Sequence, residues 1–209
     1  MAPDPFPSIV QPMLPTLSKT PFSNPDWLFE PKWDGYRAIC FVRGDEVRLV
    51  SRRRNDLTGK FPVLQSLAES IKATSAVLDG EIVALDGNGL PCFDALRSLR
   101  RASECVIVYY AFDLLYMDGR DLTSRPLIER KAALKRILPR GTKPRIRYTD
   151  HIVGKGEELL VELEKRQLEG MVAKRAESLY VGGRTRDWLK IKTAAGREEM
   201  RKRSEAWQL

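Results

Sequence analysis

The sequence has few of the residues that build metal sites and disulfide frameworks. It contains one histidine and three cysteines, and Cys40, Cys92 and Cys105 show no C-x-x-C spacing. An odd number of cysteines at these spacings argues against a disulfide framework and against a zinc site. The cysteines fit reduced thiols in a cytosolic protein better.

Long hydrophobic runs are also absent. No stretch approaches the roughly 18 apolar residues of a membrane span. Residues 1–15 lack the charged start and the apolar run of a signal peptide. We therefore expect a cytoplasmic protein that makes no membrane contact.

Acidic residues are outnumbered. The chain has 28 Asp and Glu against 36 Lys and Arg, which gives a formal net charge of +8. A basic protein favours polyanionic partners, because each phosphate that it neutralises releases condensed counterions. Basicity alone is weak evidence for nucleic-acid binding, since many proteins are basic without it.

The apolar pattern predicts one α+β domain with mainly antiparallel sheets. Apolar residues make up 43% of the chain, enough for a core. Leucines at helical spacing predict two helices, one from Pro126 to Leu138 and one around Leu159–Leu168. We expect residues 1–25 to form an extended proline-rich arm, residues 26–195 the folded domain, and residues 196–209 a polar helical tail. The strand-like runs are 38–42, 47–50, 76–85 and 105–115.

Two lysines lie in a strand-like run near the C-terminus. Lys190 and Lys192 are two residues apart, so on a strand their side chains point to the same face. Neighbouring ammonium groups repel each other unless an anion lies between them, and a triphosphate is such an anion. Alone, the pair is more often a solvated strand face.

A lysine can act as a nucleophile only when it is neutral. Its reference pKa is about 10.4, so burial or neighbouring cations must lower it. Lys190 and Lys192 would provide such cations beside Lys32, if the fold brings them together. Glu81 and Glu169 could hold Mg²⁺ or a ribose hydroxyl, because hard cations prefer oxygen ligands.

The segment Lys32–Arg37, KWDGYR, resembles the K-x-D-G-x-R signature of the covalent nucleotidyltransferases. That superfamily joins DNA ligases, RNA ligases and mRNA capping enzymes. Four further segments follow in the family's order and with its approximate spacing: SR at 51–52, DGE at 79–81, EGMVAK at 169–174 and WLKIK at 188–192. The residues around positions 29–37, 110–115 and 186–192 look most like ATP-dependent DNA ligases, and closest to bacterial end-joining ligase modules.

The resemblance implies a fold and a reaction. The fold would be an ATP-grasp-like adenylation domain with two antiparallel sheets, flanking helices and a nucleotide cleft between the sheets. Lys32 would take AMP from ATP with the help of Mg²⁺ and form a lysyl-AMP intermediate. The AMP would then pass to a 5′-phosphate of nicked or broken duplex DNA, for strand joining in DNA repair and recombination.

The resemblance also implies a role for each matching residue. Taken alone, several have a structural explanation: Phe112 would be a core residue and Glu81 a turn carboxylate. Glu169 and Glu81 would serve the metal, and the basic cluster of Arg52, Arg53 and Arg54 would contact DNA phosphates. The implied ATP contacts are Glu30 at the adenine edge, Arg37 and Arg52 at the ribose, Glu81 at the ribose 2′-hydroxyl, Phe112 on one face of the base, the Met171–Val172 segment on the other face, and Lys190 and Lys192 at the phosphates.

The chain departs from the family pattern after the lysine pair. DNA ligases normally continue there with an OB-fold, whose five strands of roughly 5–6 residues each need more than residues 193–209. We expect no OB-fold in this chain, so complete ligation would depend on an OB-fold or a repair protein in trans. Two alternatives stay open: a nick- or end-binding protein without turnover, and an RNA ligase-type nucleotidyltransferase that needs such a partner.

Overall fold

The structure is a computed structural model that describes residues 3–97, 105–141 and 143–205. Within these ranges the chain forms two compact units, each with its own sheet and core. The first unit takes in residues 3–12, 34–149 and 179–182, and the second takes in residues 13–33, 150–178 and 183–205.

Eleven strands and five α-helices are formed by the described residues. The strands are β1 (Met13–Leu17), β2 (Trp27–Pro31), β3 (Tyr36–Arg43), β4 (Glu46–Ser51), β5 (Ser75–Leu85), β6 (Val106–Met117), β7 (Arg120–Asp121), β8 (Ile146–Tyr148), β9 (Ile152–Val153), β10 (Gly170–Arg175) and β11 (Gly183–Lys192). The helices are α1 (Leu67–Ser70), α2 (Phe93–Arg97), α3 (Leu127–Ile137), α4 (Gly156–Lys165) and α5 (Ala194–Glu205), and a short 3-10 helix spans Pro62–Leu64.

The first unit is built on the sheet β4-β3-β5-β6-β7, with β8 paired to β6. All pairs are antiparallel except β6 with β8. Gly80 lies in the middle of β5, where a Cβ atom would come within 2.6 Å of the carbonyl oxygen of Tyr110. The Tyr109 side chain, from β6, lies against Gly80, and its hydroxyl donates to the carbonyl of Ala38 in β3 at 2.9 Å. A glycine is therefore needed at position 80 for β6 to pack this closely.

The second unit is built on the sheet β1-β11-β10-β2-β9. Here β1 pairs with β11 in parallel and the other pairs are antiparallel. Helix α4 covers one face of this sheet because its leucines recur on one side, as an amphipathic helix requires. The core residues on that face are Trp27, Phe29, Leu159, Leu160, Leu163, Met171, Ala173 and Ile191.

The α+β class and the mainly antiparallel sheets are confirmed, and each sheet also contains one parallel pair. Strand β1 lies inside the stretch predicted as an extended arm, because its partner β11 is far away in the sequence. The helix predicted around Leu159–Leu168 runs instead over Gly156–Lys165, and Leu168 lies beyond its end. Helix α5 begins at Ala194, two residues before the predicted polar tail, and covers its residues 196–205. No described helix is long and apolar enough to span a membrane, and no disulfide joins the three cysteines.

Candidate functional site

The second unit places three lysines around one carboxylate. The ammonium group of Lys32, just after β2, donates a hydrogen bond to Oε2 of Glu169. The Nζ atom of Lys192 lies 3.3 Å from Oε1 of the same carboxylate. The backbone N–H of Lys32 also donates to the Gly170 carbonyl at 2.8 Å, which ties the lysine to the start of β10. Residues 32, 169 and 192, distant in sequence, therefore meet.

Lys190 belongs electrostatically to the same cluster. Its partial burial lowers its pKa, and the positive charges of Lys32, Lys192 and Arg184 lower the pKa further, while Glu169 opposes them. One carboxylate cannot neutralise three ammonium groups. An anion with several charged oxygens, such as a polyphosphate, would relieve this repulsion.

The strand register explains why these lysines alternate with apolar residues. Val172 lies directly opposite Glu30 on one side and Lys190 on the other. Directly opposed residues share a face of a sheet, so these three side chains lie on the face away from α4. Met171, one residue earlier, points to the core face and is fully buried. Within the Met171–Val172 segment that was assigned to the base, Val172 is therefore the residue on the face that carries Lys190, and the base contact itself stays a prediction.

Glu30 is engaged in a buried ion pair. Its Oε2 atom lies 2.6 Å from Nζ of Lys174, and both side chains are only 2% exposed. The same ammonium group lies 4.3 Å from the ring centroid of Trp188, a cation–π distance. The sequence predicted an adenine contact for Glu30 and no role for Lys174. The sequence could place Lys174 on the face of Val172, two residues earlier, but it could not identify Glu30 as the partner of Lys174.

Tight backbone packing holds Glu169 in place. Gly170 has a φ of +150°, and a Cβ atom there would lie 2.2 Å from the Ile191 carbonyl oxygen. At Gly196, in the first turn of α5, a Cβ atom would lie 1.9 Å from the carbonyl oxygen of Glu169. The hydroxyl of Thr193 donates to the Leu168 carbonyl at 2.6 Å and accepts from the Gly196 N–H at 3.1 Å. These contacts hold the first turn of α5 against Glu169, which pairs with Lys32 and Lys192.

The first unit holds a separate arginine site. Arg37 donates from Nε and Nη2 to the two oxygens of Asp79, at 3.0 and 2.5 Å. The Tyr180 hydroxyl donates to Oδ2 of the same carboxylate at 2.6 Å. Burial alone would lower the pKa of Arg37, but the charge and hydrogen bonds of Asp79 outweigh it and hold that pKa above its ordinary value. The guanidinium is therefore a fixed positive group.

Phe112 and Glu81 lie close to this arginine. The guanidinium carbon of Arg37 is 5.3 Å from the ring centroid of Phe112. Glu81 is opposite Arg37 in the β3–β5 ladder, and its charge also contributes to the raised pKa. The buried ammonium group of Lys131 donates a hydrogen bond to the Phe112 carbonyl at 3.4 Å, which helps to fix the backbone of Phe112.

The arginines predicted to contact DNA lie on an exposed turn of the first unit. Ser51 and Asn55 close this turn with hydrogen bonds of 2.8 and 2.9 Å, and Arg52, Arg53 and Arg54 lie between them. All three are exposed, as phosphate-binding side chains must be. A second basic pair in the sequence, Arg100 and Arg101, lies outside the described residues.

The chemistry of Glu169 fits a magnesium ion only together with a substrate. No group of three or more His, Cys, Asp or Glu side chains that could hold a metal occurs in the described part of the chain. Mg²⁺ is commonly held by one or two carboxylates plus substrate phosphates and water. Glu169 supplies one such carboxylate. The assignment of Glu81 to a metal stays a prediction.

Comparisons with known proteins identify related sequences. A family model described as the ATP dependent DNA ligase domain matches residues 10–192. The chain is 34% identical over 183 residues to the multifunctional non-homologous end joining protein LigD of Mycolicibacterium smegmatis, covering 87% of this chain. It is also 34% identical over 185 residues to the SPbeta prophage-derived DNA ligase-like protein LigB of Bacillus subtilis, covering 87% of this chain and 67% of that protein.

Solved structures show the same relationship. The ligase domain of LigD from Mycobacterium tuberculosis matches with a TM-score of 0.76 at 33% identity, over 87% of this chain and 59% of that one. A mycobacterial DNA ligase D in complex with ATP and MES matches with a TM-score of 0.75, also at 33% identity, over 87% of this chain and 60% of that one. The chain spans only 23% of the length of the LigD protein of M. smegmatis.

Proposed function

This chain belongs to the ATP dependent DNA ligase domain family, and from that membership we propose that it is an adenylating enzyme whose Lys32 becomes covalently linked to AMP. One observation carries the proposal. Lys32, Lys190 and Lys192 gather around the single carboxylate of Glu169, where a polyphosphate would complete the charge balance. Three ammonium groups beside one carboxylate repel each other unless a further anion binds.

The reaction follows from the chemistry of these side chains. The Nζ atom of Lys32 forms a bond to the α-phosphorus of ATP, the bond to the bridging oxygen of the β-phosphate breaks, and pyrophosphate leaves. Lys190 and Lys192 stabilise the negative charge on the transition state and on pyrophosphate. The Lys32 ammonium group that donates to Glu169 has no lone pair, so it must first lose a proton to solvent and give up this hydrogen bond. A second proton leaves the nitrogen as the N–P bond forms.

The remaining contacts follow the family resemblance and the geometry of each unit. Glu30 meets the adenine edge, Val172 lies against the base from the sheet face that carries Lys190, and Phe112 stacks on the base. Arg37, Arg52 and Glu81 contact the ribose. Mg²⁺ offsets phosphate charge when it is bound, and Glu169 would hold it together with phosphate oxygens.

DNA is the proposed acceptor of the AMP group. AMP would pass from Lys32 to the 5′-phosphate at a nick or break, and the 3′-hydroxyl would then attack and expel AMP. The relatives named for non-homologous end joining support a role in double-strand break repair, with Arg52, Arg53 and Arg54 on the phosphate backbone. We propose that an OB-fold or a repair protein assists the steps on DNA. A DNA substrate also fits the cytoplasmic location that the sequence predicts.

The non-catalytic alternative is less well supported. A protein that only binds nicks or ends would not need Lys32, Lys190 and Lys192 beside an intact Glu169. An RNA ligase-type reaction uses the same first step, so RNA and DNA nicks must be compared directly.

The test is covalent labelling with ATP. Purified protein is incubated with α-labelled ATP and Mg²⁺, and an acid-labile AMP adduct is sought by gel and by mass. We expect an adduct on the wild type and on Lys19→Ala, which removes an exposed lysine of the same unit, and none on Lys32→Ala. A folded wild type without an adduct, or a labelled Lys32→Ala variant, would overturn the proposal. Addition of nicked DNA or nicked RNA duplexes then shows whether the 5′-phosphate of DNA or of RNA accepts the AMP.

A further inference from the structure

We propose that Tyr180 is a positioning residue, which orients Arg37 for its contact with the nucleotide by fixing the carboxylate of Asp79. This inference rests on the proposed function, because Arg37 is assigned there to the ribose. Neither Tyr180 nor Asp79 was singled out for such a role by the sequence.

Tyr180 reaches this position from an unusual place in the chain. Residues 179–182 connect β10 to β11, yet they belong to the first unit although both strands belong to the second. The Tyr180 side chain is 7% exposed, and its backbone N–H donates to the Thr123 carbonyl at 2.9 Å. The ring also lies 5.7 Å from the guanidinium carbon of Arg130. Backbone and ring therefore hold the hydroxyl in one place.

The hydroxyl completes the hydrogen bonding of Asp79. The Oδ2 atom of this fully buried carboxylate accepts from both Arg37 and Tyr180, and Oδ1 accepts from Arg37. Without the hydroxyl, Oδ2 would lose one of these hydrogen bonds and the carboxylate would be held less firmly against rotation about its Cβ–Cγ bond. A bidentate arginine pair depends on the plane of its carboxylate, so rotation of Asp79 would move the guanidinium of Arg37.

The position of Arg37 matters because its guanidinium lies near other groups proposed to contact ATP. It is 5.3 Å from the ring of Phe112 and opposite Glu81 in the ladder. A small displacement would disturb the ribose contact and leave the proposed lysine chemistry of the second unit unchanged. Loss of the Tyr180 hydroxyl should therefore weaken ATP binding through Arg37 and through no other residue.

A double-mutant cycle on ATP binding and adduct formation tests this coupling. We expect Tyr180→Phe to weaken ATP–Mg²⁺ binding about fivefold or more, the scale of one lost hydrogen bond to a charged group. Arg37→Lys keeps the positive charge but cannot form the bidentate pair with Asp79. In that background Tyr180→Phe should cause no further loss of ATP affinity. If the two substitutions instead reduce ATP affinity independently, so that their effects multiply in the double variant, the proposal is overturned.

Tyr116→Phe is the matched control. It also removes one tyrosine hydroxyl from the first unit, since Tyr116 donates to the Asp4 carbonyl at 2.8 Å. We expect it to lower the stability about as much as Tyr180→Phe and to leave ATP binding unchanged. If both variants bind ATP equally well, or both equally badly, Tyr180 has only a structural role.

A spectroscopic measurement separates this proposal from the proposed function. The Nε–H of Arg37 is followed by NMR hydrogen exchange, with the Nε–H of Arg130 as an internal reference because it donates to Asp113 at 2.8 Å. Tyr180→Phe should speed exchange at Arg37 and leave Arg130 protected. Unchanged exchange at Arg37 overturns the positioning role, even if the wild type forms no adduct at all.

Discussion

Glu30 and Lys174 form an ion pair between neighbouring strands in which both side chains are only 2% exposed. Two charges removed from water in this way depend on each other, because either one alone would be buried without compensation. The pair lies on the same sheet face as Val172 and Lys190. Loss of either partner would therefore destabilise the unit that carries Lys32.

Removing one partner of this pair should be strongly destabilising. We expect Lys174→Ala to lower the free energy of unfolding by about 3–5 kcal/mol, the usual cost of an uncompensated buried charge. Lys165→Ala is the control, because it breaks an ion pair with Glu162 whose side chains are 70% and 46% exposed. That change should cost less than about 1 kcal/mol. Urea denaturation measures both, and similar losses would contradict the assignment.

The lowered pKa of Lys190 predicts a pH-dependent stability. Lys190 loses its proton at a lower pH in the folded protein than in the unfolded chain. Between these two pH values the unfolded chain binds more protons, so the stability of the folded state rises with pH. At pH 7 the protonated Lys190 is a cost to folding, and Lys190→Gln should remove it and raise the denaturation midpoint.

This gain should shrink as the pH approaches 10.5, the ordinary pKa of a lysine. Urea midpoints of wild type and variant at pH 7 and pH 10 measure the change. Lys143→Gln, at an exposed position, should show no such pH dependence. A Lys190→Gln variant that is less stable than the wild type at pH 7 would show that the lysine cluster is not under repulsion.

The contact between Gly196 and Glu169 predicts that even one methyl group will disturb the lysine site. In Gly196→Ala the new Cβ would meet backbone atoms of Glu169, which cannot rotate away. We expect a loss of about 1–3 kcal/mol in stability, typical of overpacking, and slower formation of the AMP adduct. Gly87→Ala, where a Cβ meets nothing within 4 Å, should leave both unchanged. Urea denaturation and the rate of AMP-adduct formation, measured on the wild type, Gly196→Ala and Gly87→Ala, test this prediction. Equal values for all three proteins would contradict it.

Phe112 should matter for ATP affinity more than for stability. Stacking of a base on an aromatic ring contributes about 1–3 kcal/mol, so Phe112→Leu should weaken ATP binding by roughly 5- to 150-fold. Phe41→Leu changes a phenylalanine that is 4% exposed in the first unit. It should reduce stability and leave ATP affinity unchanged. Calorimetric titration with ATP would reject the stacking role if Phe112→Leu bound as tightly as the wild type.

Local patterns were enough to predict much of the fold. Alternating and β-branched residues gave the runs that became β3, β4, β5 and β6, because a strand is encoded by its own side chains. The spacing of Lys190 and Lys192 placed both on one face, and β11 shows that arrangement. Helix ends were less accurate, as Leu168 illustrates, because Gln167, with a φ of +55°, lies beyond the last turn of α4.

Contacts between distant segments could not be predicted from the sequence. Asp79 and Tyr180 are 101 residues apart, and nothing local to either residue indicates the other. The ion pair of Glu30 with Lys174 depends on β2 and β10 being neighbours, which is a property of the topology. The base contact was assigned to the Met171–Val172 segment as a whole, because a motif gives residue types, whereas the face of a strand depends on register.

The parallel pairing of β1 with β11 has a consequence for synthesis on the ribosome. The hydroxyl of Thr16 donates to the carbonyl of Thr185 across a separation of 169 residues. Residues 34–149, by contrast, form most of the first unit in one continuous stretch. The first unit can therefore assemble co-translationally, while β1 waits for its partner until the last strand emerges. Of the two units, the one that carries Lys32 is therefore completed later.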